Sequence, residues 1–192
     1  MRYTKIPTNT FQKIQLNAGV IATAFTPSTG NVDETDIAGA TSGGITFHDS
    51  ITYRDFGDDI DNCPKNTMEL KKTDSREVTF AGTFATVDET LATMLVGPAD
   101  NTSGHITPRN DLKTSDFRDL WFIGDYSDKN GPTKGGSIAV KLLNALNTGG
   151  FQWVSSDREK GKFAFTFTGH YSIANPDIVP YEVYVTAGAD EN

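Results

Sequence analysis

The acidic residues of this 192-residue chain include a short run that partly matches a calcium-binding loop. Asp59 and Asp61 stand at the first two ligand positions of an EF-hand, but Cys63 occupies the third. The Gly and Glu that such a loop requires further on are missing. Because Asp is also a frequent turn former, we predict a turn here and not a metal site.

Other residue types that carry chemistry are isolated in the sequence. His48, His105 and His170 are not spaced with one another, or with a carboxylate, as a metal site requires. Cys63 has no neighbouring base that would activate it as a nucleophile, and there is no phosphate-binding, dinucleotide-binding or Gly-x-Ser-x-Gly motif. The sequence therefore predicts no catalytic residue, no cofactor and no metal. A glycosidase-type pair of carboxylates stays open, because the fold sets their separation.

The charge of the chain excludes one class of function. Its 17 Lys and Arg and 25 Asp and Glu give a net charge of −8. A protein this acidic repels phosphate backbones and anionic lipid, so binding to nucleic acid or membrane by charge is not expected. Eight acids and one base between Asp33 and Asp61 place a net −7 in one stretch. With its glycines, that stretch is expected to form a long, partly extended excursion.

Apolar and polar residues alternate with period two along much of the chain, which predicts antiparallel, half-buried strands. The clearest examples are residues 45–53, 78–84, 163–171 and 179–185. Residues 137–147 fit both strand and helix spacing, and their position between Gly-Gly pairs favours a strand. Residues 14–24 are interrupted by polar side chains, so we interpret them as a strand and not a signal peptide, and expect cytosolic synthesis.

One helix is predicted over residues 86–96. Thr86 and Glu89 have the spacing of a capping box, and Gly97 followed by Pro98 is a typical helix end. One side of the helix is apolar and is expected to pack on the sheet; that side consists of Val87, Leu91, Met94 and Leu95.

Several segments resemble the major tail protein, or tail tube protein, of long-tailed bacteriophages that infect Gram-positive bacteria. They are residues 55–67, 106–121, 124–131 and 160–172, the last preceded by Gly150 and Phe151. The likeness covers about residues 40–186, and its specificity comes from several unrelated loops that match in order.

The resemblance implies one domain over residues 1–192, with a mainly β fold: an antiparallel sandwich or barrel of the tail-tube type with a flanking helix. It also implies an N-terminal arm (1–10), a C-terminal tail (187–192) and a long inter-ring loop or hairpin (39–75). Such subunits form six-fold rings that stack into a hollow tube in the virion tail, assembled in the host cytoplasm.

The partners that the resemblance implies are further copies of the chain, a tape measure protein, and tail terminator and distal tail proteins. Double-stranded DNA would pass through the tube without being held. The implied inter-ring contacts are Ile45, Phe47, Ile51 and Tyr53. The acids that would face the lumen or the next ring are Asp55, Asp58, Asp59 and Asp61.

Two other classes of function stay open at this point. The first is a β-sandwich that binds carbohydrate or protein, for which Trp121, Tyr126 and Trp153 are the candidate contacts. Core or subunit packing is the commoner role for such aromatic residues. The second is an enzyme with an acidic site, such as a glycosidase.

Overall fold

A computed structural model describes residues 5–7, 10, 13–125 and 135–187 of the chain. Within these ranges the protein is mainly β, as predicted, with ten strands and one α-helix. The helix, α1, spans Glu89–Val96. The strands are β1 (Val20–Ala22), β2 (Thr41–Asp55), β3 (Lys71–Phe84), β4 (Ala99–Thr102), β5 (His105–Pro108), β6 (Arg118–Asp125), β7 (Ser137–Asn147), β8 (Gln152–Val154), β9 (Lys162–Thr168) and β10 (Tyr181–Thr186).

The predicted terminal arms fall mostly outside these ranges. Of the N-terminal arm (1–10) only residues 5–7 and 10 are described, and of the C-terminal tail (187–192) only Ala187. The strand predicted over residues 14–24 is confirmed only for Val20–Ala22. Strand structure is confirmed for residues 137–147, where the sequence had also fitted a helix.

The main sheet has the strand order β1-β6-β7-β9-β3-β2, with β10 added to β7 and β8 added to β9. Every pairing is antiparallel. Strand β7 joins the two halves of the sheet, one containing β6 and β10 and the other containing β9. Residues 137–145 of β7 pair with β6 and β10, and its last two residues, Leu146 and Asn147, pair with β9. The sheet therefore turns at the end of β7, and its two halves face each other.

Large apolar side chains from both halves meet in one core. Phe80 of β3 contacts Phe122 of β6, with ring centroids 5.9 Å apart. Phe84 contacts Phe165 of β9, with centroids at 4.6 Å. The alternation predicted for β3 and β9 is confirmed within those strands, since their apolar residues are buried here: Val78, Phe80, Phe84, Phe163, Phe165 and Phe167. The run predicted over residues 163–171 is wrong at its end, because β9 stops at Thr168 and Tyr171 is 45% exposed.

A smaller cluster lies on the opposite face of β6. Trp121 is buried there beside Phe25, with ring centroids 5.3 Å apart, and beside Tyr184 at 5.4 Å. Strand β6 thus buries alternate residues in two different clusters.

Helix α1 begins later than predicted. The assignment of Thr86 as N-cap is wrong, because Asp88 caps the helix by accepting a hydrogen bond from the Leu91 N–H at 2.7 Å. The Thr86 hydroxyl instead accepts one from the Ala40 N–H at 2.9 Å. An Asp cap also places negative charge at the positive end of the helix dipole.

The apolar side of α1 packs on the sheet as predicted for three of its four residues. Leu91, Met94 and Leu95 are buried. Val87 is 43% exposed, so its assignment to the packed face is wrong; it precedes the helix and lies outside its periodicity. Gly97 ends the helix at a φ of 83°, a conformation that favours glycine.

Asn147 is a buried polar residue that ties the helix to the sheet. Its Nδ2 donates to the carbonyl of Leu95 at 2.6 Å and to that of Gly150 at 3.0 Å. Its Oδ1 accepts from the Thr166 N–H at 3.0 Å. The amide is well satisfied, which is what allows a polar group to lie in the interior.

The position of Phe84 gives a test of this core. Phe84→Ala is expected to lower the free energy of unfolding by about 3–5 kcal/mol, because it leaves a cavity between the halves of the sheet. Urea denaturation measures the loss. Phe56→Ala, at a half-exposed phenylalanine, is the control and should lower it by about 1 kcal/mol or less. Equal losses for the two variants would contradict this account of the core.

Candidate assembly surface

Strands β2 and β3 extend beyond β9, the strand that pairs with the other side of β3. Strand β9 pairs with Thr79–Phe84 of β3, whereas Lys71–Val78 pairs with β2 alone among the described strands. At about 3.3 Å per residue, this two-stranded ribbon (49–55 with 71–78) extends roughly 25 Å beyond the third strand. Of the loop or hairpin predicted over residues 39–75, the structure shows a regular hairpin for most of the length.

Cross-strand contacts give the ribbon modest support. Arg54 and Asp74 form an exposed ion pair with a nitrogen–oxygen distance of 2.9 Å. The Lys71 ammonium lies 5.2 Å from the centre of the Tyr53 ring. Cross-strand pairs contribute about 0.2–1 kcal/mol each, and an isolated two-stranded hairpin is marginal in water. A surface that covers the ribbon would stabilise it further.

The tip of the hairpin (56–70) is organised by the carboxylate of Asp55. Its Oδ1 accepts from the Gly57 N–H at 2.9 Å, and its Oδ2 accepts from the Asn66 N–H at 2.7 Å. These backbone hydrogen bonds, Gly57 first, lower the pKa of Asp55. The resemblance places Asp55 at the lumen or the next ring, whereas in the structure its carboxylate bonds within the tip.

The outside of the tip combines apolar and acidic side chains. We call this set the tip surface. Met68 is 79% exposed, and Phe56 and Ile60 are each about half exposed. The acids predicted at this surface, Asp58, Asp59 and Asp61, are all exposed. Three exposed apolar side chains thus lie within one loop, and exposed apolar side chains that form a contiguous patch mark interaction sites.

The base of the ribbon is fixed to β10 by a polar network. The Tyr181 hydroxyl donates to Asp49 Oδ2 at 3.0 Å, and Arg76 approaches the same oxygen at 3.4 Å. Burial, then the hydrogen bond to Asp49, raises the pKa of Tyr181, so its hydroxyl stays a donor at neutral pH. Sequence reasoning missed this network, because Tyr181 and Asp49 are 132 residues apart and neither belongs to a motif.

The four predicted inter-ring residues lie along β2 but in different surroundings. Ile45 and Phe47 pack against the core, and the Phe47 ring lies 5.2 Å from that of Tyr181. Ile51 is partly buried, and Tyr53 is 56% exposed. Ile45 and Phe47 thus already have partners inside the chain, and the contact of all four with another copy stays a prediction.

Strand β10 offers an open edge. It pairs with β7 on one side, and no described strand pairs with its other side. Val183 and Val185 lie on this strand and are half or more exposed, although the alternation predicted a buried face. An edge with unpaired N–H and C=O groups beside exposed apolar residues can accept a further strand.

Other sites of possible chemistry are sparse in the described ranges. No group of three or more His, Cys, Asp or Glu side chains there could hold a metal ion. A cleft of about 390 Å³ lies between residues 17–32 and the end of β6. Its polar side chains, Asn17 and Asp125, hydrogen bond to each other at 3.0 Å, so they are already used in packing.

The three aromatic candidates for a binding module are separated. Trp121 is buried, Tyr126 lies outside the described residues, and Trp153 is 66% exposed on β8. The Trp153 ring stacks on Phe163 at an interplanar angle of 16°. Of the two that the structure describes, Trp153 is the one with an exposed ring.

Comparison with known proteins adds no identification. No protein-family model and no curated protein matches this chain. Among the described residues, no helix is long and apolar enough to cross a membrane.

The role of Asp55 predicts a pH-dependent tip. Because the folded-state pKa is lowered, the carboxylate stabilises the tip fully above about pH 4, the ordinary carboxyl value. That stabilisation declines as the pH falls below this value and is gone below the lowered pKa. We expect Asp55→Asn to speed hydrogen exchange at the Gly57 and Asn66 amides at neutral pH. Asp58→Asn, at an exposed neighbour, is the control and should leave both amides protected.

The network at the ribbon base predicts a specific role for one hydroxyl. Tyr181→Phe should lower the free energy of unfolding by about 1–3 kcal/mol, since it removes a donor from a carboxylate whose Oδ1 is buried without a partner in the described residues. The ribbon amides should also exchange faster. Tyr184→Phe removes a hydroxyl that bonds Glu182 on the same strand and should behave as wild type. Protection of the ribbon in both variants would refute the role.

Proposed function

We propose that this chain is the structural subunit of a self-assembling tube, of the kind formed by bacteriophage tail tube proteins. The observation that carries the proposal is the ribbon. It projects from the body of the protein, and among the described strands β2 and β3 pair only with each other along it. Its tip surface exposes apolar side chains. The kind of assembly, a tube of stacked rings, is inferred from the resemblance of residues 40–186 to tail tube proteins.

The open sheet edges support a ring. A strand edge such as that of β10 is a liability in an isolated protein, and pairing it with a neighbouring copy removes that edge. A contact between two different surfaces closes into a ring when the rotation closes, and otherwise builds a filament. Edge pairing within a six-fold ring and hairpin contacts between rings would together give a tube of unlimited length.

The charge of the chain suits a conduit for DNA. DNA carries one negative charge per about 1.7 Å of its axis, so basic walls would bind it strongly. Acidic walls repel phosphate over about 10 Å at ordinary salt, and this chain has a net charge of −8. Asp58, Asp59 and Asp61 are exposed and can serve either the bore or a contact between rings.

The remaining parts of the proposal come from the resemblance. The tube would surround a tape measure protein, end on tail terminator and distal tail proteins, and lie in the virion after assembly in the host cytoplasm. Such a subunit has no catalytic role and needs no cofactor.

A second candidate function is a carbohydrate- or protein-binding module. The observation that favours it is Trp153, whose exposed ring stacks on Phe163 and offers a flat aromatic surface. This module would act as a monomer or small oligomer, so its assembly state separates the two candidates.

Negative-stain microscopy of the purified full chain tests the proposal. We expect hollow rods or rings. We also expect Tyr53→Asp to impair the stacking of rings, since Tyr53 is exposed on the ribbon and a charge there opposes burial against another copy. Its free energy of unfolding should change by about 1 kcal/mol or less, the size of the cross-strand contact with Lys71 that is lost.

Tyr171→Asp is the matched control, because Tyr171 is also about half exposed but lies outside the hairpin. It should assemble as wild type. A wild-type protein that stays monomeric at high concentration, even with phage assembly partners, would contradict the tube and favour the binding module.

A further inference from the structure

A second exposed apolar surface lies on the segment 149–162, which contains β8. Phe151 and Trp153 both lie against the ring of Phe163, with ring centroids 6.3 and 6.1 Å from it, and each is about half or more exposed. Strand β8 pairs with β9 on one side, and its other side has no partner among the described strands. We call this set, together with Lys160, the β8 surface.

The strand register places the β8 surface and the tip surface at opposite ends of one sheet. Trp153 pairs with Phe163, and Phe163 pairs with Phe84 at the end of β3. Lys71, at the other end of β3, leads into the tip. Thirteen residues at about 3.3 Å separate these ends by roughly 43 Å.

The two surfaces also differ in charge. The tip (56–70) has four acids and one base, a net charge of −3, and the segment 149–162 has three bases and two acids, a net charge of +1. Within the latter, Arg158 pairs with Asp157 at 3.7 Å and Lys162 with Glu159 at 3.8 Å. Lys160 is the base in that segment with no ion-pair partner in the described part of the chain.

We propose that the tip surface of one copy docks on the β8 surface of the next copy along the tube axis. This inference rests on the proposed function and names the acceptor for the hairpin. Complementary surfaces at opposite ends of one subunit make a head-to-tail contact that repeats without closing. Phe56, Ile60 and Met68 would meet Phe151 and Trp153, with charges at the rim of the contact, as in protein interfaces generally.

The proposed contact would bury the exposed side chain of Trp153. Tryptophan is among the residues that contribute most when buried at the centre of an interface. Opposite charges across such an interface favour the correct partner and register. The acidic tip of one copy would thus meet a segment of the next copy, residues 149–162, whose net charge is +1.

Charge reversal in the full-length protein tests the docking. Lys160→Glu and, separately, Asp59→Lys should each raise the protein concentration needed for rod formation by about tenfold or more, because each puts like charges in the contact. The double variant restores an opposite pair and should form rods near the wild-type concentration. Rod formation is followed by sedimentation and negative-stain microscopy.

Lys13→Glu is the matched control, since Lys13 is also an exposed lysine without an ion-pair partner in the described part of the chain and lies outside both surfaces, and it should assemble as wild type. If Lys160→Glu forms rods as readily as wild type, or the double variant is not rescued, the docking is overturned while the tube stands. If the wild type forms neither rings nor rods, the proposed function fails and the docking fails with it.

Discussion

Backbone pairing is the constraint on which the rest of this structure depends. Strand β3 has a partner on each side from Thr79 to Phe84, but from Lys71 to Val78 it pairs with β2 alone among the described strands. Peptide groups at the margins of that ribbon must find water or another chain. The same holds for the outer edge of β10. The body of the protein is well buried, whereas these margins are the parts whose pairing a neighbour would complete.

The core and the ribbon are stabilised in different ways. Phenylalanines buried between the two halves of the sheet hold the body together through apolar contact. The ribbon has little apolar burial of its own, and specific polar groups fix its two ends: Tyr181 and Asp49 at the base, and Asp55 at the tip. The contact at the base sets the direction of the ribbon relative to the body, and the hydrogen bonds of Asp55 set the shape of its tip.

The predictions that succeeded concern local sequence patterns, and those that failed depend on residues far apart in the chain. Strands β3 and β9 and the packing of Leu91, Met94 and Leu95 were predictable, because periodicity is a local property of the sequence. The start of α1 was not predictable, because Thr86 and Asp88 are both acceptable N-caps. The choice depends on a distant backbone group, the Ala40 N–H, which donates to the Thr86 hydroxyl. For residues 39–75 the sequence left a loop and a hairpin open, and the pairing of β2 with β3 makes most of this range a hairpin.

The sequence by itself determined that the fold is mainly β, which face β3 and β9 bury, where the acidic stretch lies and that motifs typical of catalysis are missing from it. Only the tertiary structure decided that the stretch is a hairpin, that Asp55 is used inside the tip and that Tyr181 reaches Asp49. It also decided that the tip and the β8 surface lie at opposite ends of one sheet. The reason is that strand register joins residues far apart in the chain, such as Phe84 and Phe163, and no local pattern records which strands will pair.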